Sequence, residues 1–331
     1  MLTPPRLDLA RLPTPLEPLD NLHARLGGPR IWVKRDDLTE LGASGNKIRK
    51  LEFCLAEAKQ QQATAIITCG GLQSNHCRAT ALLGAKLGFT VHLVLRGELE
   101  GAAEGNLMLD QLAGAVVHSY PVKQYQQDLG ALLDRHADDL RSQGETPFII
   151  PTGASDEIGV WGYVCAADEL VCDFETYGLD VNNVVVATGS GGTQAGLTAG
   201  LHLHGSSAQV WGMAVCDDEH WFRNKVRADL AAWQARYQME LDIDALNINV
   251  DDRYIGPGYA QATPEVFDTI KLVASTEGLV LDPVYTGKAF HGLLDQIGNG
   301  RFADDTDIVF VHTGGSFGLM AQSSQVAAAL G

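Results

Sequence analysis

With 331 residues, 45% of them apolar and 20% charged, the chain has the composition of an ordinary globular protein, with room for two compact units or one large one. Its formal charge of −17 argues against nucleic acid and anionic membrane surfaces as partners, because both need clustered Lys and Arg. The six cysteines form neither a C-x-x-C pair nor a zinc-spaced cluster, and no apolar leader or membrane-length stretch is present, so no structural metal and a cytoplasmic location are expected.

Short β-rich runs alternate with helical patterns along the chain. The strand signals are Ile31 to Val33, Ala65 to Thr68, Val91 to Leu95, Ala115 to His118, Phe148 to Ile150, Val184 to Ala187, Val210 to Val215 and Ile308 to Val311. Between them, apolar spacing and polar starts predict helices over Lys47 to Lys59, Asn75 to Leu87, Glu157 to Cys172, Thr193 to Leu203, Pro264 to Thr276 and Lys288 to Ile297. Such alternation means parallel sheets with crossover helices, and parallel sheets hold ligands beyond the carboxyl ends of their strands.

The chemistry-bearing segments lie at those ends. Ser44-Gly45-Asn46-Lys47 opens the first of the helices, placing Lys47 in the first turn, where the positive helix end disfavours a permanent ammonium and suits a Schiff-base lysine; a solvated surface lysine is the plainer alternative, and Arg49 and Lys50 are rivals. Gln73-Ser74-Asn75-His76-Cys77 starts the next helix, with Ser74 either a simple N-cap or, with Asn75, a ligand contact. Gly189-Ser190-Gly191-Gly192-Thr193-Gln194 follows a strand and opens a helix, so it can cradle a phosphate; Gln194 replaces the third glycine of a dinucleotide fingerprint, and a ligand-free tight turn remains open. Tyr259 and Tyr285 each stand beside a turn, a place more often filled by a packed tyrosine than by an acid or base.

In combination these segments, W-V-K-R-D-D from Trp32, G-N-K-x-R-K-L-E from Gly45, Q-S-N-H-C-R from Gln73, the loop from Gly189, D-P-V-Y-T-G-K from Asp282 and H-T-G-G from His312, resemble the fold-type II pyridoxal-phosphate enzymes. The similarity is to the branch that holds D-cysteine desulfhydrase and 1-aminocyclopropane-1-carboxylate deaminase, and it spans nearly the whole chain. It implies an α/β fold of two domains, each a mostly parallel twisted sheet flanked by helices, with a large domain of 1–50 and 161–331 and a small domain of 51–160. It also implies a pyridoxal 5'-phosphate cofactor on Lys47, its ring hydroxyl near Asn75, its phosphate on Gly189, Ser190, Gly191, Gly192 and Thr193, and its pyridine nitrogen near Thr286, with Thr313 also among the cofactor contacts. Ser74, Asn75, His76, Tyr259 and Tyr285 would face a small amino-acid substrate, in a homodimer. The deaminase has Glu, Leu and Gln where this chain has Thr286, Thr313 and His76, so the resemblance favours β-elimination from D-cysteine. L-cysteate sulfo-lyase, the deaminase and a non-catalytic cofactor-binding protein are the alternatives.

Overall fold

Runs of Val, Ile and Leu too short for helices build two sheets, and their pairing order decides where a ligand can sit. The computed structural model describes residues 3–330. Its strands are β1 (Leu16–Pro18), β2 (Arg30–Lys34), β3 (Ala65–Gly71), β4 (Thr90–Arg96), β5 (Val116–Tyr120), β6 (Pro147–Ile150), β7 (Val181–Thr188), β8 (Gln209–Ala214), β9 (Asn249–Asp251) and β10 (Asp307–Val311). Its helices are α1 (Asp20–Leu26), α2 (Asn46–Gln60), α3 (Asn75–Leu87), α4 (Gly105–Leu112), α5 (Val122–Ser142), α6 (Trp161–Tyr177), α7 (Gly192–Leu203), α8 (Glu219–Tyr237), α9 (Pro264–Glu277), α10 (Thr286–Gly298), α11 (Ser316–Met320) and α12 (Ser323–Leu330).

The eight strand signals and six helix signals all correspond to elements of the same type. One helix start and several elements differ for physical reasons. Glu157 lies ahead of α6 rather than inside it, because the Asp156 carboxylate accepts from the N–H groups of Ile158 and Gly159 and closes a turn there. Helix α5 buries only Tyr125, Leu132, Ala137 and Leu140 in 21 residues, too sparse a stripe to announce itself among polar neighbours.

Strands β5-β4-β3-β6 form a four-stranded, wholly parallel sheet, and β1-β2-β10-β7-β8-β9 form a six-stranded sheet that is parallel except for the β1–β2 pair. The chain therefore leaves the larger sheet along α2, completes the smaller one, and returns along α6. Helices α6 and α7 cross closely because α7 presents Gly196 and Gly200: a Cβ on either would lie 2.5 Å from the Cβ of Tyr163 or Ala167. Among the described residues, no helix is long and apolar enough to cross a membrane.

A buried ion network orients α2. Arg49, 2% exposed, donates from Nη2 and Nε to the two oxygens of Asp36 at 2.7 and 3.0 Å, and from Nη1 to Glu169 at 2.9 Å. Tyr163 donates to the same Asp36 carboxylate, and Lys34 pairs with Glu169 at 2.6 Å and Asp173 at 2.6 Å. Here α2, α6, β2 and the segment after it meet in a region where an unpaired charge is costly. Two outcomes are expected. Arg49→Met, which strands the Asp36 carboxylate, should lower unfolding free energy by about 3–5 kcal/mol in urea titrations. Burial alone would raise the Glu169 pKa, but hydrogen bonds and charge from Arg49 and Lys34 outweigh it and hold the carboxyl at about 2. A depressed folded-state pKa means stabilisation that is complete above the ordinary carboxylate range and lost as pH falls through the folded value. The stability difference between the native chain and Glu169→Gln should thus be flat from pH 7 to about 5 and shrink between about 4.5 and 2.

Candidate active site

Because both sheets are parallel apart from β1, the carboxyl ends of their parallel strands converge on one cavity of about 550 Å³. Gly70 and Gly71 line it from β3, Arg96 from β4, Thr152 from beyond β6, Thr188 from β7, Cys216 from beyond β8 and Thr313 from beyond β10. Of the residues singled out in the sequence, Lys47, Ser74, Asn75, His76, Gly189, Ser190, Gly191, Thr193, Tyr259, Tyr285 and Thr313 all reach this wall.

Gly45 adopts φ +103° immediately before α2, and a Cβ there would lie 2.5 Å from the Thr313 carbonyl oxygen. That close approach lets the Asn46 N–H donate to Thr313 O at 3.1 Å, while Asn46 Nδ2 donates to Thr193 Oγ1 at 2.9 Å. The lysine segment, the glycine loop and the last strand end are in this way tied to one another. Lys47 itself faces the cavity, and no acceptor or carboxylate among the described residues pairs with it. Burial, reinforced by the charge of Lys50, pushes its pKa well below the usual lysine value. Both causes favour the neutral, nucleophilic form of the amine.

The glycine loop leads into α7, whose first-turn N–H groups have no intrahelical partners. The Gly192 N–H donates to Ser155 Oγ at 3.1 Å, and Ser155 Oγ lies 2.8 Å from Ser190 Oγ and accepts from Lys50 Nζ at 3.2 Å. Lys225 donates to the Ser155 carbonyl at 3.0 Å and to Asp229 at 2.5 Å. Two ammonium groups therefore back a helix N-terminus, giving local positive potential inside a strongly acidic chain. Gly192 sits behind the loop rather than on the wall: a Cβ there would be 2.6 Å from Ser155 Oγ.

On the facing side Ser74 caps α3, accepting from the Cys77 N–H at 3.2 Å, which leaves its own proton free to donate. The Asn75 side-chain oxygen accepts from Arg78 at 3.0 Å and from Asn106 Nδ2 at 3.0 Å, so its NH2 group is the part left for the cavity. His76, 2% exposed, contacts Thr68 through Nε2 at 2.7 Å; burial, then the charges of Lys47 and Lys50, push its pKa well below the usual value, so the ring is neutral, and its buried Nδ1 has no partner. The Tyr259 and Tyr285 hydroxyls meet at 2.5 Å. Burial raises both phenol pKa values, and for Tyr285 the neighbouring Tyr259 adds to the rise, so both act as proton holders. Thr286 is set back from the wall, fully buried, its hydroxyl donating to Asp282 Oδ1 at 2.7 Å and accepting from the Asp282 N–H at 2.8 Å.

Sequence reasoning did not single out Arg96, Tyr125, Thr152, Ser155, Cys216 or Lys225. The rule that strand ends line parallel-sheet sites would have found Arg96, Thr152 and Cys216 had it been applied beyond the glycine-bearing ends. Ser155 and Lys225 lie in a loop and a helix with no local signal.

A buried lysine without an acidic partner and a glycine loop opening a helix, lining one cavity at the strand ends of two mostly parallel sheets, form the kind of site that anchors a phosphate-bearing aldehyde cofactor. The family model described as "Pyridoxal-phosphate dependent enzyme" matches residues 7–314, and the chain belongs to that family. The residues fit the cofactor: an amine without a competing acid for the aldehyde, N–H groups for the phosphate, and the Asn75 NH2 for a ring hydroxyl. Among relatives, the chain is 40% identical over 333 residues to a bifunctional D-cysteine desulfhydrase/1-aminocyclopropane-1-carboxylate deaminase of Arabidopsis thaliana, covering 98% of this chain and 81% of that protein. It is 40% identical over 328 residues to a D-cysteine desulfhydrase of Klebsiella pneumoniae, covering 96% of each. A crystal structure described as an ACC deaminase homologue superposes with a TM-score of 0.90 at 35% identity, covering 98% of this chain and 96% of that one.

Gly192→Ala is expected to push Ser155 out of the loop and weaken pyridoxal phosphate retention by about tenfold or more, a loss of one to two hydrogen bonds to the anion. Equilibrium dialysis of the variant against the native chain measures this.

Proposed function

We propose that the enzyme is a D-cysteine desulfhydrase, converting D-cysteine and water to pyruvate, ammonia and hydrogen sulfide. The observation that carries the reading is a buried amine without an acidic partner, Lys47, lining the same cavity as the hydrogen-bonded Tyr259–Tyr285 pair, alongside relatives named for this activity. Pyridoxal phosphate, when bound, supplies the electron sink that makes a Cα proton removable.

Lys47 is the attachment point, and once the substrate amine has displaced it, its Nζ is the base that takes the Cα proton. Ser74 and Asn75, at the start of α3, hold the substrate carboxylate against the positive helix end, with His76 beneath them. Tyr259 and Tyr285, sharing one short hydrogen bond, hold a proton beside the departing β-substituent. Gly189, Ser190, Gly191, Gly192 and Thr193 bind the phosphate, Asn75 the ring hydroxyl, and Thr286 and Thr313 stand on the pyridine-nitrogen side. The Thr286 hydroxyl already spends its proton on Asp282, so it offers the nitrogen no strong charge, a setting that favours prompt elimination over prolonged charge storage on the ring. We further assign 51–160 to a small domain that closes on the substrate, in a cytoplasmic homodimer.

Lys47→Ala is expected to lose both the visible absorbance of lysine-bound cofactor and all turnover; retained absorbance would remove Lys47 from the role. With the native enzyme, D-cysteine should yield sulfide and pyruvate in equal amounts. Sulfite from L-cysteate without sulfide from D-cysteine would assign the sulfo-lyase reaction instead, 2-oxobutyrate from aminocyclopropane carboxylate would assign the deaminase, and bound cofactor with no product would assign the non-catalytic reading.

A further inference from the structure

The cavity holds one cation that the reaction as described leaves without a task. Arg96 ends β4, in register with Gly71 of β3, so its side chain enters the cavity beside the start of α3. Its guanidinium carbon lies 5.2 Å from the Tyr259 ring centroid and 5.9 Å from that of Tyr125, within cation–π range of both. A Cβ built on Gly71 would lie 3.8 Å from the Tyr259 ring and 3.9 Å from Arg96 Nη2, which shows that the three residues meet at one patch of wall.

Nearby basic groups are satisfied. Arg49 is clamped by Asp36 and Glu169, Arg78 donates to Ser44 O, Asn75 Oδ1 and Asn106 Oδ1, and Lys225 pairs with Asp229. Arg96, in contrast, has no carboxylate or hydrogen-bond partner among the described residues. Asp217, the one acid lining the cavity, is exposed and forms no ion pair with it. A half-buried guanidinium within cation–π distance of two tyrosine rings, with its N–H donors unspent on any side chain or carbonyl among the described residues, is suited to receive an anion.

We infer that Arg96 recognises negative charge on the β-substituent of the substrate, making this a site selective for amino acids whose β-group is, or becomes, an anion such as thiolate or sulfonate. The inference rests on the elimination reading above. With the carboxylate at the α3 N-terminus and Lys47 beneath Cα, the Tyr259–Arg96 wall is the part of the cavity left for the β-group. As Lys47 takes the Cα proton, the C–H electron pair forms the Cα=Cβ bond and the Cβ–S pair departs on sulfur. Arg96 then faces the new thiolate, and the Tyr259–Tyr285 pair can protonate it.

The test compares the holoenzymes of the native chain, Arg96→Met and Arg96→Lys. The ratio of kcat/KM for D-cysteine to that for β-chloro-D-alanine, whose chloride is a far weaker base than hydrosulfide and departs without help from a cation, should fall by about tenfold or more in Arg96→Met, with Arg96→Lys retaining the larger part of it. By calorimetry, 3-sulfopropanoate, an unreactive dianion, should lose affinity to a similar degree in Arg96→Met, and propanoate by less than about twofold. Equal losses for both substrates would reassign Arg96 to the α-carboxylate and overturn the inference, as would an unchanged ratio with unchanged 3-sulfopropanoate binding. If the native enzyme eliminates from neither substrate, the elimination reading fails, and the two carboxylate ligands still decide whether Arg96 selects a second anion.

Discussion

The grip of Asp36 and Glu169 on Arg49 is the constraint on which the catalytic arrangement depends. Arg49 lies two residues beyond Lys47 on α2, on a different side of the helix, so clamping its guanidinium from two directions fixes the rotation of α2 about its axis. Rotation decides what the first turn presents. With Arg49 locked into the seam of α2, α6 and the segment after β2, Lys47 faces the cavity and Lys50 reaches Ser155 behind the anion cup. One more residue of the same helix, Glu52, accepts from the N–H groups of Leu9 and Ala10 and ties down the N-terminal strap.

The site works by keeping unlike environments side by side. Lys47 sits where no acid can stabilise its charge, and a second buried ammonium nearby lowers its pKa further. The same Lys50 that repels it donates to Ser155 behind the glycine loop, so one residue bears on both the amine and the loop. An anionic cofactor can thus be held by a chain whose formal charge is −17, because the potential that matters is set within a few ångströms by N–H groups and paired lysines rather than by the exterior. The tyrosine pair completes the division: burial raises the pKa of two phenols and lowers that of the amine in the same cavity.

Both sheets being parallel, a single geometric rule brings together residues as distant as Gly70, Thr188 and Thr313. The elements that touch across the cleft are also those that knit it. Asn46 bridges to Thr193 and Thr313, and Arg78 of α3 reaches back to the Ser44 carbonyl just before the lysine segment and stacks 4.8 Å from the Phe317 ring. The two sheets are therefore coupled through hydrogen bonds to backbone atoms next to the reactive lysine, a connection through which movement of one side would be felt at the other.

Much of this was legible in the sequence because it is local. Apolar period and glycine position announced the eight principal strands, and Lys47, Ser74, Asn75 and the loop from Gly189 stood out because each opens a helix just after a turn, a pattern that depends only on near neighbours. The short strands β1 and β9 carry too few residues to show a period, and α5 buries too narrow a stripe. Arg96, Ser155 and Lys225 were silent for a different reason. Nothing beside them in the chain differs from a solvated arginine, serine or lysine; their significance comes from what the fold sets opposite them. The sequence by itself determined the class of architecture and singled out the lysine segment and the glycine loop that the fold brings into one cavity. Only the tertiary structure decided that Thr286 turns its hydroxyl to Asp282, that Lys50 stands behind the cup, and that Arg96 is left unpaired, because pairing and burial are properties of distances between residues far apart in the chain.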